Sequence, residues 1–363
     1  MKRLLFICYC LLAVVSFSCK QKSPEIFLRN NSLSKGFEEA KSAKKGLLLI
    51  SNKSGCSMCE LFEVDLMKDE SYAQKIYKDF VVQRIDENAS GSKWLSRILN
   101  RGSFPIFLFF NQDRKLIGIE MGAVNKHQME RLLIKVAKNE TWVDQLYQPG
   151  SETGMSAEKL LSYVANLSEA QYQWEQYSAN KQISALNKIE HPLKESISIY
   201  PSFYNNYLLA KYYAAAKSQD LSARYAEAAL RVENPAALYF NSGLRTELKM
   251  LINANYNVYE DAYMGLADVE QNLGKLKFGV KKSVAFPVKN IGKKDLSFSK
   301  IITDCECTVA NYPKSPIKPG DTGIIHVNFT ATRSGEFTHM LEIGANASNA
   351  PLQLTIKGLV LGD

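Results

Sequence analysis

The spacing of apolar residues changes character twice along the chain. Between about residues 36 and 139, short apolar runs alternate with stretches in which apolar residues recur every three or four positions. The runs are typical of buried strands, and the recurring positions are typical of amphipathic helices. This pattern predicts helices at 37–45, 56–67, 70–77, 94–99 and 125–137 and strands at 47–51, 80–85, 106–110 and 116–120. Because strands alternate with helices, we expect an α/β sheet here.

The middle of the chain, residues 140–265, shows no sustained strand pattern. One apolar helix face includes Tyr204 and Tyr212, and a face of small residues includes Ala226 and Ala229. The tyrosines are interpreted as core side chains. This pair of helices resembles one tetratricopeptide-type (TPR-like) hairpin, a repeat that needs neighbours for stability. We interpret the region as an α-helical spacer and leave partner binding open as a second use.

The last segment, residues 266–363, alternates between apolar and polar positions in short stretches such as 325–329 and 352–356. Turn residues separate these stretches, for example Pro319 followed by Gly320. Short strands at turn-marked spacing predict an all-β sandwich of the immunoglobulin-like type. The chain is therefore expected to be multidomain, with α/β, α-helical and all-β parts in that order.

Composition narrows the classes of function. The 363 residues carry a formal net charge of +8, but lysine and arginine are spread among acidic residues over the whole length. Nucleic-acid-binding proteins concentrate basic residues in blocks or on one face. The sequence has no such block, so we expect no nucleic-acid partner. It also has no phosphate loop, dinucleotide fingerprint or metal-ligand spacing of histidines, so we expect no bound cofactor and no resident metal.

The N-terminus has the arrangement of a secretory signal. Lys2 and Arg3 precede an apolar stretch at 4–15, which is too short to span a membrane well. Ser18 and Cys19 then resemble the end of a bacterial lipoprotein signal, which is cut before the cysteine and acylated on it. Plain cleavage near the same point and an uncleaved anchor remain alternatives.

The lipoprotein resemblance implies an extracytoplasmic location. The protein would be held in the cell envelope by its lipid anchor, on the periplasmic side of the inner or outer membrane. With the pattern changes above, it gives these segments: a signal peptide at 1–19, a linker at 20–35, an α/β domain at 36–139, a helical region at 140–265 and a β-sandwich at 266–363.

A Cys-x-x-Cys motif at Cys56 and Cys59 follows closely after the predicted strand at 47–51. If the next helix starts at the motif, unpaired backbone N–H groups and the helix dipole stabilise a thiolate at Cys56. Cys59 then lies one turn deeper, within reach of the Cys56 sulfur. Such a pair accepts or donates two electrons as a disulfide. A structural disulfide, a metal half-site and a degenerate fold are the alternatives for the same two residues.

The element order, the Cys-x-x-Cys motif and the Phe104-Pro105 pair before the predicted hairpin resemble the thioredoxin superfamily. The likeness is greatest to its periplasmic thiol–disulfide oxidoreductases. It implies that Cys56 is the attacking thiol, Cys59 the resolving thiol and Pro105 a cis-proline beside them.

Two positions depart from the thioredoxin pattern. The tryptophan usual before the first cysteine is Gly55, and the buried acid of the preceding strand falls at Ile50. The proton acceptor of many thioredoxins is therefore missing at its usual place. Lys53, Glu60 and Glu63 are the candidate substitutes near the motif, and the direction of electron flow stays open.

Cys305 and Cys307 form a second close pair in the β-rich segment. They resemble the Cys-Gly-Cys-Thr strand of a bacterial domain family of unknown function with an immunoglobulin-like fold, with Glu306 in place of the glycine. One interpretation is a strained, easily reduced disulfide, and another is a soft-metal site for Cu(I). His326 and His339 could approach such a site across strands. Two half-buried structural thiols are a third interpretation.

These motifs together predict a lipid-anchored, extracytoplasmic thiol–disulfide oxidoreductase with no cofactor other than its redox-active disulfide. Its partners would be protein thiols and disulfides of the cell envelope, and it would meet the membrane through its anchor. Two alternatives remain. One is a non-catalytic envelope adaptor that keeps a thioredoxin-like fold for binding, and the other is a copper-handling protein.

Overall fold

The computed structural model describes residues 27–52, 59, 67–87, 93–99, 104–144, 155–232, 235–303 and 307–362, with the backbone alone for 27 and for 235–242. Within these ranges the chain is multidomain, with an α/β part, a helical part and a β-rich part. The predictions for the signal peptide at 1–19, for Cys56 and for Cys305 lie outside the described residues. No helix in the described ranges is long and apolar enough to cross a membrane.

A six-stranded sheet forms the centre of the α/β part. Its strands are Phe27–Arg29 (β1), Gly46–Asn52 (β2), Phe80–Asp86 (β3), Ile106–Phe110 (β4), Leu116–Met121 (β5) and Trp142–Val143 (β6). They lie in the order β1-β3-β2-β4-β5-β6, with β1, β3 and β2 parallel and β4 antiparallel to β2 and β5. The hydrophobic pattern predicts the four longer strands but not β1 and β6.

Four helices pack against this sheet in the described ranges. They span Leu33–Ala43 (α1), Glu70–Asp79 (α2), Trp94–Leu99 (α3) and Lys126–Ala137 (α4). The side chains of Ser32, Asp69 and Asn125 accept hydrogen bonds from backbone N–H groups in the first turns of α1, α2 and α4. These caps satisfy otherwise unpaired donors and so fix where the three helices begin.

Strand β2 separates two apolar layers because successive strand residues face opposite sides of a sheet. Leu47 and Leu49 belong to the layer that includes residues of α1 and α3. Leu48 and Ile50 belong to the layer that includes residues of α2 and α4. All four side chains are buried, as expected for a central strand covered on both faces.

The helical part follows the sheet, as the hydrophobic pattern predicts. Its helices span Ala157–Asn180 (α5), Ile183–Leu186 (α6), Glu190–Ile199 (α7), Phe203–Ala215 (α8), Gln219–Leu230 (α9) and Pro235–Ile252 (α10). Helix α5 packs against α7, α7 against α8, α8 against α9 and α9 against α10. The tyrosines Tyr204 and Tyr212 are buried in this part, as their interpretation as core side chains predicts.

The α/β and helical parts share one apolar core. Phe37 of α1 is 4% exposed and packs edge-on against Phe110 of β4 and Tyr172 of α5, with ring centroids 5.1 and 5.6 Å apart. The same core continues through Leu209 of α8 to Leu248 of α10. The helical part therefore packs directly on the α1–α3 side of the sheet, which is a closer association than a spacer requires.

Two four-stranded sheets enclose a second apolar core in the β-rich part. The strands are Met264–Leu266 (β7), Glu270–Lys277 (β8), Lys281–Asn290 (β9), Phe298–Thr303 (β10), Thr308–Asn311 (β11), Thr322–Thr330 (β12), Gly335–Ala345 (β13) and Leu352–Leu361 (β14). The sheet orders are β10-β13-β14-β8 and β11-β12-β9-β7. Phe286, Ile325, Leu341 and Ile356 lie in the core between them. The part is β-rich as predicted, and its immunoglobulin-like class stays a prediction.

Asp261 connects the helical part to the β-rich part. This buried carboxylate accepts hydrogen bonds from Lys249 of α10, from Tyr256 and from Lys294, the last at 2.8 Å. Burial alone would raise the pKa of Asp261, but these three hydrogen bonds hold it well below its ordinary value. A further ion pair joins Lys93, next to α3, to Glu342 of β13.

Candidate functional site

Cys59 is the described member of the predicted redox pair. Its backbone is helical, its side chain is 2% exposed, and its sulfur is in a disulfide bond. The assignment of Cys59 as the resolving thiol stays a prediction. Cys56, its predicted partner, lies outside the described residues.

Pro105 lies at the sheet edge from which the chain leaves β2 toward the motif. The Phe104–Pro105 peptide bond is cis, and Pro105 directly precedes β4. Ile106 pairs with Ser51, the penultimate residue of β2, so Pro105 is level with the end of that strand. The backbone N–H of Gly122, the residue after β5, donates to the Pro105 carbonyl at 2.8 Å. This hydrogen bond holds the Pro105 backbone next to the end of β5. Cys56 follows Asn52, the last residue of β2, by four positions in the sequence.

Ile50 occupies the place where many thioredoxins carry a buried acid. Its side chain is buried in the α2–α4 layer, and it pairs with Phe107 of β4. The three candidate substitutes named from the sequence, Lys53, Glu60 and Glu63, lie outside the described residues.

Glu87 is a buried acid that the sequence reasoning missed. It is 3% exposed, and its two carboxylate oxygens accept hydrogen bonds from the Ser51 hydroxyl at 2.6 Å and the Ser96 hydroxyl at 2.7 Å. Its backbone N–H donates to the Asn52 carbonyl at 2.8 Å. Burial raises the pKa of Glu87, although both serine hydrogen bonds oppose the shift. Ser51 lies two and four positions after Leu49 and Leu47 on β2 and so faces the same side, which places its hydrogen-bonded partner Glu87 on the α1–α3 side of the sheet.

Glu120 is a second missed acid, and it lies on the other side of the sheet. It pairs with Phe107, which pairs with Ile50, and cross-strand partners share one face. Ile50 of β2, Phe107 of β4 and Glu120 of β5 therefore form one cross-strand row on the same face of the sheet. Glu120 lies in this row two strands away from Ile50, the position where the acid is missing. Burial, followed by repulsion from Asp144, raises the pKa of Glu120 to about 7. A carboxyl group that titrates near neutrality is suited to exchange protons at physiological pH. Only the strand register reveals this placement, which explains why the sequence does not.

Cys307 and His339 meet at the edge of the β-rich part. Cys307 is disulfide-bonded, and its Sγ lies 3.5 Å from Nε2 of His339. His326, the other histidine considered from the sequence, is exposed on β12. No group of three or more histidine, cysteine, aspartate or glutamate side chains in the described ranges could hold a metal ion. Cys305 lies outside those ranges.

Two family models match separate parts of the chain. A model described as a thioredoxin-like domain matches residues 33–137, in agreement with the resemblance to the thioredoxin superfamily, and the likeness to its periplasmic oxidoreductases stays a prediction. A model described as a protein of unknown function, DUF1573, matches residues 264–360, in agreement with the second resemblance. A search of curated proteins finds no match to this chain.

Several solved structures are similar to parts of the chain. A thioredoxin from Thermus thermophilus is 14% identical and covers 31% of this chain and 86% of its own, with a TM-score of 0.28. A protein of unknown function from Porphyromonas gingivalis W83 is 18% identical, covers 30% of this chain, and has a TM-score of 0.26. This chain spans 50% of the length of that protein. The PapD-like domain 7 of human CEP192 is 6% identical and covers 30% of this chain and 91% of its own, with a TM-score of 0.26.

The fold and the family models agree on how the chain is divided into structural parts. It joins an N-terminal thioredoxin-like α/β part, a helical part, and a β-rich part that matches a family of unknown function.

Proposed function

We propose that this protein is a thiol–disulfide oxidoreductase in which Cys56 attacks and Cys59 resolves. The observation that supports it best is the disulfide-bonded, deeply buried Cys59 in a thioredoxin-like fold. Pro105 lies at the sheet edge where the chain leaves β2 for the motif. The proposed disulfide partner of Cys59 is Cys56, three residues before it.

The electron transfer needs no cofactor beyond the two thiols. The Cys56 thiolate attacks one sulfur of a substrate disulfide, a new S–S bond forms, and the substrate's own S–S bond breaks with loss of a thiolate. Cys59 then attacks the Cys56 sulfur and releases the second substrate thiol. The substrate gains two electrons and the enzyme becomes a disulfide, or the reverse when the enzyme starts oxidised.

Glu120 is the proposed proton acceptor of the site. It lies in the Ile50 row, on the same face as the vacant acid position, and its pKa is raised to about 7. A carboxylate there would accept the Cys59 proton through intervening water when the resolving thiol becomes a nucleophile. Glu87 is the less suitable acid, because it lies on the opposite face and is held by two serine hydroxyls.

The proposed location follows from Cys19. Acylation of this residue would tether the protein to the envelope membrane on its periplasmic side, with residues 20–35 as the linker. Its substrates would be protein thiols and disulfides of the same compartment.

A trapping variant tests the proposed activity. With Cys59→Ser, Cys56 has no resolving partner, so mixed disulfides with envelope proteins should accumulate and disappear on reduction. Cys305→Ser and Cys307→Ser are added to remove adducts within the chain, and the matched control carries Cys56→Ser as well.

Two results would contradict the proposal. One is equal capture by the trap and the control. The other is no adduct together with no turnover of a disulfide substrate, which would favour the non-catalytic adaptor.

A further inference from the structure

Cys307 and His339 are 32 residues apart in the sequence but in contact in the fold. The distance from Cys307 Sγ to His339 Nε2 is 3.5 Å, within hydrogen-bonding reach for sulfur. The backbone of Cys307 is fixed, since its carbonyl accepts a hydrogen bond from the Thr330 N–H at 2.9 Å. The sulfur and the imidazole nitrogen are therefore held facing each other.

The His339 ring is also oriented by its neighbours. It lies near-parallel to the Phe337 ring, with centroids 5.7 Å apart, and tilted against Phe329, with centroids 5.6 Å apart. These contacts leave the ring edge that carries Nε2 directed at the Cys307 sulfur. Both Cys307 and His339 are only half-buried.

A disulfide with a purely structural role does not require an imidazole in contact with one of its sulfurs. A disulfide sulfur is a weak acceptor, so the imidazole contributes little while Cys307 is oxidised. A thiolate is a strong, charged acceptor, and a protonated imidazole stabilises it through a charge-assisted hydrogen bond. The contact therefore favours the reduced form of Cys307 over the oxidised form.

We propose that the disulfide at Cys307 is a second redox-active centre of the chain, in which His339 stabilises Cys307 as the leaving thiolate. Its reaction partner is a dithiol. One dithiol sulfur attacks the sulfur bonded to Cys307, that new S–S bond forms, and the Cys307 S–S bond breaks. Cys307 leaves with the bonding electrons and is charge-paired with His339. The second dithiol sulfur then attacks the first, which closes the donor's own disulfide, breaks the mixed disulfide and releases the former bonding partner of Cys307 as a second thiolate, so two electrons pass to the β-rich part.

The test is made independent of the first site by using the full chain with Cys56→Ser and Cys59→Ser. The folded protein is equilibrated in dithiothreitol redox buffers, free thiols are alkylated, and mass spectrometry follows the tryptic peptide 301–314, which carries Cys305 and Cys307. His339→Gln is compared with His326→Gln, a matched change at the exposed histidine of β12. Far-UV circular dichroism checks that each variant is folded.

The expected result is that His339→Gln shifts the equilibrium about tenfold toward the disulfide and slows alkylation of reduced Cys307 by a similar factor. His326→Gln should change neither. Equal equilibria in the two variants would overturn the role of His339. The Cys307 disulfide is also followed in the folded protein that keeps both His326 and His339. If this disulfide stays oxidised in millimolar dithiothreitol, the proposal of a second redox centre is wrong, whatever the variants show.

Discussion

The guanidinium of Arg114 lies over the ring of Tyr172, with its Cζ atom 4.3 Å from the ring centroid. Arg114 belongs to the turn between β4 and β5, and Tyr172 belongs to α5. The same guanidinium lies 5.7 Å from the Phe37 ring centroid, and its Nη2 is 3.6 Å from Glu169 Oε1. A cation–π contact at an exposed site contributes about 0.5–1 kcal/mol. Burial of the apolar side chains beneath Arg114 therefore contributes more to the stability of the interface between the α/β and helical parts than the cation–π contact does.

Phe37→Ala should destabilise both parts at once. The substitution removes a buried ring that contacts Phe110 and Tyr172, and such a cavity costs about 3–5 kcal/mol of unfolding free energy. Urea unfolding followed by tryptophan fluorescence and by far-UV circular dichroism measures the loss. The matched control is Phe278→Ala, whose side chain is 50% exposed and should cost under about 0.5 kcal/mol. Equal losses in the two variants would contradict the shared core.

Cys56 should be the more acidic thiol of its pair. A helix N-terminus favours the thiolate, so its pKa is expected below the value of about 8.5 for a free thiol. Cys59 is deeply buried, which disfavours the thiolate, so its pKa should not fall. The rate of alkylation against pH is measured on reduced Cys59→Ser and Cys56→Ser proteins, each with peptide-level detection. Equal, ordinary values at both positions would favour the adaptor function.

Glu120 should make the protein less stable as the pH rises from about 4.5 to about 7. Its folded-state pKa is raised to about 7 from 4.5, so the folded protein holds a proton that the unfolded chain releases in this window. The penalty is absent below pH 4.5 and complete above pH 7. It should not exceed about 2 kcal/mol, because the carboxyl group is partly exposed and screened by solvent.

Urea unfolding of Glu120→Gln at a series of pH values measures this effect. In the variant, the free energy of unfolding should fall less steeply between pH 4.5 and 7, because the contribution of the Glu120 carboxyl group is gone. Glu140→Gln, at an exposed acid beyond α4, should keep the slope of the unsubstituted protein. An unchanged slope in Glu120→Gln would show that its carboxyl group titrates normally.

Cys19→Ala should abolish lipid labelling and release the protein into the soluble fraction. The thioether and amide attachment sites of a lipoprotein both belong to the cysteine after the cleavage point. Incorporation of labelled palmitate in a bacterial host, followed by membrane fractionation, measures both effects. Cys10→Ala changes a cysteine within the predicted signal and should still be labelled. Absence of label in the unsubstituted protein would remove the anchor from the proposal.

The hydrophobic pattern predicts elements whose apolar spacing extends over several residues. Strands β2 to β5 and the helices from α1 to α4 fall in this class: β2 and β4 are continuous apolar runs buried on both faces, and the helices bury one apolar face. Strands β1 and β6 have three and two residues, too few to show a period of two. They form because their backbones pair with β3 and β5, which is a tertiary effect.

The two motif cysteines and Pro105 are recognisable in the sequence because their spacing and order resemble those of a known family. Glu87, Glu120 and His339 are not, because only the strand register and the packing of distant segments give them their neighbours. His339 illustrates the limit. The sequence marks it as one of two histidines able to approach Cys307, and only the fold selects it.

The similarity to thioredoxin-like domains ends at residue 137, but the apolar core to which α1 belongs continues to Leu248. The end of the family match at residue 137 therefore does not coincide with the end of the apolar core. A gene fragment that stops there would present the Phe37 side of the sheet to water. Any excised, stably folded form of the thioredoxin-like part would have to include the helices through α10, to which the shared apolar core extends.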